Sequence, residues 1–394
     1  MLTLPAISER SLRAPRVGRA AALLASTCVT ALLLGGPAKA APPIIVSGNP
    51  NAPAQINPAG SAITKISISR STVTTGGVTN NGTISNNIST TAIAIIRSTI
   101  NGGVANIGTI MVTSPSSLAN SVGINPFAKS KIIGGSAAGV SNSGMIIVTS
   151  PMTNSFGIDV SSTSVVIGGN NSAGISNSGT ITASAPQGKA VGILASKSTI
   201  TGSNTAAAII NSGTITATGK TGIGIQVIGT NAITGGITNA GTITGSTAAL
   251  DFTQSAVAVT FNQQAGALNG AVKLSGNGDT FNFTGGTLNG VLNDNAGGAA
   301  PTGTATVKVM GGGTATMASR LWRCRALGAP HLPGRCASLQ RLGRADRPRR
   351  LRGRSRDRVF AHLGAFGGRL VFGAIRPARH GQCREGQCEL AVLI

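Results

Sequence analysis

The chain has 394 residues, 56 of them Gly, with 32 basic side chains against 9 acidic ones, one Trp and no Tyr. A formal charge of +23 would ordinarily point to nucleic acid as the partner. Its distribution removes that reading for most of the chain, because residues 1–41 carry +4, residues 42–319 carry +6 and residues 320–394 carry +13.

The start has the order of an export signal. Arg10, Arg13, Arg16 and Arg19 precede the apolar run AAALLASTCVTALLL at 20–34, then Gly35, Gly36 and Pro37, then Ala38-Lys39-Ala40. The run is shorter than a bilayer span, and small residues at Ala38 and Ala40 predict signal-peptidase cleavage before Ala41. Residues 1–40 are therefore expected to be a signal peptide, with the Sec export machinery as a partner. Cys28 lies inside the apolar run behind Thr27, a poor residue before a lipidated cysteine, so a lipoprotein anchor is not expected. No further Cys occurs before Cys324, which neither supports nor forbids export.

The middle of the chain repeats a phrase. NSGTITA occurs at Asn177 and again at Asn211, and looser copies place the opening Asn at 80, 106, 142 and 239. A period in this range is the mark of a repeat architecture. Each unit has an apolar residue (Val140, Ile175, Ile209), then Asn-x-Gly, a Thr-Ile-Thr-like strand, Gly-Ile (Gly157-Ile158, Gly192-Ile193, Gly224-Ile225) and an Ile before a Gly-containing corner (Ile167, Ile200, Ile233). Asn and Gly suit sharp corners, and alternation such as Thr180-Ile181-Thr182 puts Ile on one face and Thr on the other. Strands this short cannot bury a core alone, whereas stacked in register each covers the next. The expected fold class is all-β, a right-handed parallel β-helix, or β-solenoid, over residues 41–316. Two Asn/Gly corners and two Gly-Ile or Ile-Gly strand sets per unit suggest two rungs of about 17 or 18 residues each. That gives roughly 14 rungs and a rod of about 65–70 Å.

From 250 to 310 the strands lengthen and Phe252, Phe261, Phe281 and Phe283 appear. Larger side chains here suit a wider or closing set of rungs at the end of the same rod. The signal-like start, the NSGTITA repeats and GNGDTFNFTGGTLNGVLN at 276–293 together resemble the passenger region of a Gram-negative autotransporter, over about residues 1–316. The resemblance implies a right-handed parallel β-helix carried to the cell surface by a C-terminal membrane barrel, working in adhesion or aggregation. It places the chain in the periplasm, at the outer-membrane surface or outside the cell.

Residues 317–394 break from this pattern. Residues 320–394 contain 17 Arg and no Lys, Asn, Thr or Met, together with all three His and four of the five Cys. Seventy-five residues are too few for even an eight-stranded membrane barrel, so the passenger reads as truncated before its translocator. Arg without Lys, among Ala, Gly, Leu and Pro, is what a GC-rich gene gives in the wrong frame, and a disordered out-of-frame tail is expected. A solvated charge run or a nucleic-acid tail is the alternative for RADRPRRLRGRSRDR.

Between 42 and 319 there is no His, Cys, Glu, Trp or Tyr, and the acids are Asp159, Asp251, Asp279 and Asp294. A Ser-His-Asp site, a Cys-His site and a His/Cys metal site are excluded there. Asp279 and Asp294 are closest in sequence and read as turn residues among Gly and Asn. GTITATGKT at 213–221 has five residues between its glycines where a phosphate loop needs four. SGNGDTFNF at 275–283 is a single copy of a phrase that binds calcium only between adjacent copies. In the tail, Cys383 and Cys388 with His380, and the distant Cys324 and Cys336, lack zinc spacing.

The sequence thus predicts a non-enzymatic adhesin or structural stalk with no catalytic residue, cofactor or metal. Its expected partner is a host-cell or neighbouring-cell surface, with no nucleic acid and no small-molecule substrate. A polysaccharide-acting β-helix lyase or hydrolase, and an inactive pseudogene product, are the alternatives. Thr-x-Thr phrases at 180, 214 and 242 also suggest an ice-binding face, but irregular repeat spacing argues against flat Thr ranks.

Overall fold

The computed structural model describes residues 41–294 except 88–89, 115–118, 204–205 and 231, together with 305–309, 316–317 and 390–391. Among the described residues there is no helix, and the strands form sheets of 16, 11 and 6 strands. Pairing is parallel throughout, except where Thr306–Val309 meets the two-residue strand Leu390–Ala391. This is a parallel β-helix. The rest of the Arg-rich tail lies outside the described residues.

One turn of the coil shows how the repeat is read. Ile175–Asn177 lies in the 11-stranded sheet, and Ser178-Gly179 turns the chain into the 17-residue strand Thr180–Ser196 of the 16-stranded sheet. Lys197 turns it again into Thr199–Thr201 of the six-stranded sheet, and a loop returns it to Ile209–Asn211, directly beside Ile175–Asn177. One sequence repeat is therefore one coil, not the two rungs expected from its two corners. Both corners belong to the same circuit, which is broad enough to take about 34 residues. Ten parallel strands stack in the 11-stranded sheet, and nine steps of about 4.8 Å give a stack of about 43 Å, shorter than expected.

Inside the coil, Ile84, Ile110, Ile146, Ile181, Ile215 and Ile243 pair rung upon rung and are fully buried. The Gly-Ile phrase has a steric cause. A Cβ on Gly157, Gly192 or Gly224 would lie 2.2–2.3 Å from Cγ2 of Ile181, Ile215 or Ile243 respectively, so the backbone comes in where a side chain cannot.

The Phe-rich end continues the same stack. Phe252, Phe261, Phe281 and Phe283 are buried, and the rings of Phe261 and Phe281 stack at 5.6 Å and 6°. The coils here do not widen. Thr260 and Thr280, 20 residues apart, are direct register partners, and the six-stranded sheet has already ended at Ala232–Thr234. Shorter circuits lack its strand, and aromatic rings fill the interior.

The repeated Asn forms an internal ladder. Nδ2 of Asn57, Asn80, Asn106, Asn142, Asn177 and Asn211 each donates to Oδ1 of the next Asn at 2.6–2.7 Å, and Asn239 donates to Oε1 of Gln263 at 2.8 Å. All eight side chains are buried. Asn142 Nδ2 also reaches the carbonyls of Gly144 at 3.3 Å and Thr180 at 3.2 Å, so one amide ties its own corner to the next coil. Substituting Asn177→Ala removes the acceptor of Asn142 and the donor to Asn211 together. Stranding buried amides costs about 1–3 kcal/mol each, so a loss of about 2–4 kcal/mol is expected in urea unfolding, against under about 1 for exposed Ser178→Ala.

Candidate functional site

The residues with chemical potential lie on the outward side of the 16-stranded sheet. Asp159 sits between the core residues Ile158 and Val160, Gln226 between Ile225 and Val227, and Asp251 between Leu250 and Phe252. Strand alternation therefore turns all three outward. Register places Asp159, Leu194, Gln226, Asp251 and Lys273 in one row, with Asn125 one residue beyond the Ile124–Ile158 pair. A parallel apolar row, Val122, Phe156, Val191 and Ile223, forms a second buried cluster with Leu194.

Although the row faces outward, Leu194, Gln226 and Asp251 in it are buried, and Asn125, Asp159 and Lys273 are half-buried. Gln226 is 3 % exposed, and the side-chain oxygens Asn125 Oδ1, Asp159 Oδ1 and Gln226 Oε1 are buried without a hydrogen-bond partner. Burial pushes the Asp159 carboxyl up from 3.8 to about 6, against a hydrogen bond from Ser161 that lowers it. A proton on Asp159 turns an acceptor into a donor where acceptors are in excess. Burial also pulls the Lys189 amine below its usual range, and the charge of Asp251 partly offsets this. Asp251 Oδ1 accepts from the Thr253 amide at 3.1 Å and its hydroxyl at 2.7 Å.

Two acids brought into one row raise the question of glycoside chemistry. Asp159 and Asp251 are three coils apart, about 14 Å at about 4.8 Å per coil, which exceeds the carboxylate separation of either retaining or inverting hydrolases. The sequence reading missed this row. Its signal is the residue after Gly-Ile, as in Gly157-Ile158-Asp159 and Gly224-Ile225-Gln226, which recurs once per coil on the outer side.

The other sequence candidates find plain places. Asp279 follows a turn and accepts the amides of Val259 at 2.7 Å and Ser275 at 2.5 Å, so both its oxygens hold the backbone. Asp294 pairs with Leu274 in a strand rather than in a turn. Residues 214–221 of the phosphate-loop decoy lie in the strand Thr214–Gly229. Among the described residues no three His, Cys, Asp or Glu side chains group as metal ligands. Ala41 bridges Ile63 at the first described rung, whereas Ala38 and Ala40 lie outside the described residues, as do the tail Cys and His.

Contrary to the expectation from irregular repeat spacing, the Thr residues stand in ranks. Thr180, Thr214 and Thr242 are register partners, as are Thr182, Thr216 and Thr244, because the return loops absorb the differences in repeat length. The ranks span three coils, between Met145 with Ile147 and Ala267 with Asn269. No family model, curated protein or solved structure matches the chain.

The raised Asp159 predicts a pH-dependent cost. Below 3.8 the carboxyl is neutral folded and unfolded, and the cost grows until about pH 6, above which it is complete. Asp159→Asn is expected to raise unfolding free energy at pH 7.5 by up to about 3 kcal/mol and to change little near pH 3.5. Denaturant melts of both proteins at the two pH values measure this.

Proposed function

We propose that the chain is an exported surface rod of autotransporter type, a structural stalk or adhesin without catalytic activity. Its Thr-, Ser- and Asn-covered faces are what it presents to a host or neighbouring cell. The observation that carries this reading is a single parallel stack whose polar interior ladder is spent on holding the coils together. As far as the end of the six-stranded sheet, the coils differ mainly on their outer faces and in their return loops. The separation of Asp159 from Asp251 supports the non-enzymatic part.

The signal-like order of residues 1–40 supports export. In a Gram-negative host expressing the full gene, the exported product should begin at Ala41 by N-terminal sequencing, and intact cells should expose it to added protease. A protein retained inside the cell with Met1 or Leu2 at its start would contradict the proposal. Release of reducing or unsaturated ends from pectin or alginate by the purified protein would favour the polysaccharide-acting alternative.

A further inference from the structure

One corner of the coil carries charge that its geometry does not need. Gly48, Arg70, Arg97, Lys129, Thr163, Lys197 and Gly229 stand at successive turns out of the 16-stranded sheet, the last six of them leading into the six-stranded sheet. Corner amides bond coil to coil, Arg70 to the Ile96 carbonyl at 2.9 Å, Lys129 to that of Ser162 at 2.9 Å and Lys197 to that of Ile228 at 3.0 Å. All seven have positive φ, from 47° at Arg70 and Lys197 to 81° at Gly229. This left-handed region is strained for any side chain with a Cβ and free for Gly, which two of these corners use.

The Ser that follows explains the turn itself. Ser71, Ser98, Ser130, Ser164 and Ser198 are buried behind the corner, and the hydroxyls of Ser71 and Ser98 donate to the carbonyls of Ser69 and Ile96 at 2.8 Å each. Nothing in that turn calls for a cation ahead of the serine. Yet four of the ten Lys and Arg in residues 42–319 stand there, at Arg70, Arg97, Lys129 and Lys197, and all four are exposed. Backbone strain kept where a cheaper residue fits marks a site held for another purpose.

We propose that this corner binds a linear acidic polysaccharide, a chain with one carboxylate or sulfate per sugar, laid along the rod axis. Four cations over five successive corners form a line about 19 Å long at about 4.8 Å per coil. An extended polyuronate advances by a similar distance per sugar, so its charges keep step with the coils. Exposed Lys131, two residues beyond Lys129, adds a fifth cation beside the line. Duplex DNA, with a charge every 1.7 Å or so along its axis, matches this spacing poorly. A single-stranded nucleic acid would need a run of stacking aromatics, and among the described residues Phe127 is the one exposed aromatic in the strands that enter the corner. The inference rests on the surface reading above for where the ligand is met, and not for whether it binds.

The test compares full-length protein with two variants of equal charge loss. One carries Arg70→Gly, Arg97→Gly, Lys129→Gly and Lys197→Gly; the other carries Gln at Lys65, Lys220, Lys273 and Lys308. Both keep the basic tail, so its contribution cancels. Binding to polygalacturonate at low salt should weaken about tenfold or more in the corner variant and under about threefold in the control. Because Gly suits these corners, the thermal midpoint of the corner variant should hold or rise, which separates lost binding from lost fold. Equal losses in the two variants, or undiminished binding in the corner variant, would overturn the proposal. So would a corner variant that loses single-stranded DNA but keeps polygalacturonate. A chain that binds polygalacturonate through the corner but is not exported leaves this inference standing and removes only the surface reading.

Discussion

An amide buried in a dry interior has to find every partner it needs inside the protein, and in this rod that requirement fixes the register of the coils. The Asn ladder accepts from one coil and donates to the next at 2.6–2.7 Å, with further bonds to corner carbonyls. A coil displaced by one residue would turn its Asn to the opposite face and strand two amides at once. Hydrophobic burial supplies the attraction between coils, but Ile and Val tolerate a slide of two residues, which keeps them inward. The amide does not.

Because register is fixed at one row, the rest of the circuit is free to vary. Successive ladder residues are 23 to 36 residues apart, yet their strands remain directly paired. The difference is taken up in return loops and, toward the Phe-rich end, by loss of the six-stranded sheet. Where the ladder stops at Gln263, the row continues into Phe283, whose ring lies 6.2 Å from that of Phe281 at a tilt of 33°, and aromatic rings take over the interior. The outward rows carry what differs from coil to coil: Thr ranks on one face, a partly covered row of Asn125, Asp159, Leu194, Gln226 and Asp251 on another, and a cationic corner.

Much of this was legible in the sequence. The Asn of each repeat, the inward Ile of Thr-Ile-Thr and the Gly-Ile phrase all mark real rows, because each has a steric or hydrogen-bonding cause that admits few residues. The coil count was not legible. Two Gly-containing corners look alike whether they close one broad circuit or two narrow ones, and only pairing of Asn177 with Asn211 decides between them. The Asp159 and Asp251 row was hidden because residues far apart in sequence become neighbours only when the circuit length is known. The cations at 70, 97, 129 and 197 were hidden for a different reason. Left-handed corners are sought at Gly and Asn, and Arg or Lys before Ser gives no such signal.

Deletion shows whether one repeat makes one coil held by one Asn. Removing residues 178–211 takes out one 34-residue period and leaves Asn177 followed by Ser212-Gly213. The shortened protein should keep the β-sheet circular dichroism of the parent and unfold cooperatively, with a loss on the order of one coil's share of stability. Deleting only about half that length from the same place should abolish the cooperative transition, because it would set an outer face against the ladder. A half-length deletion that folds as well as the full one would mean that the repeat is not a single coil.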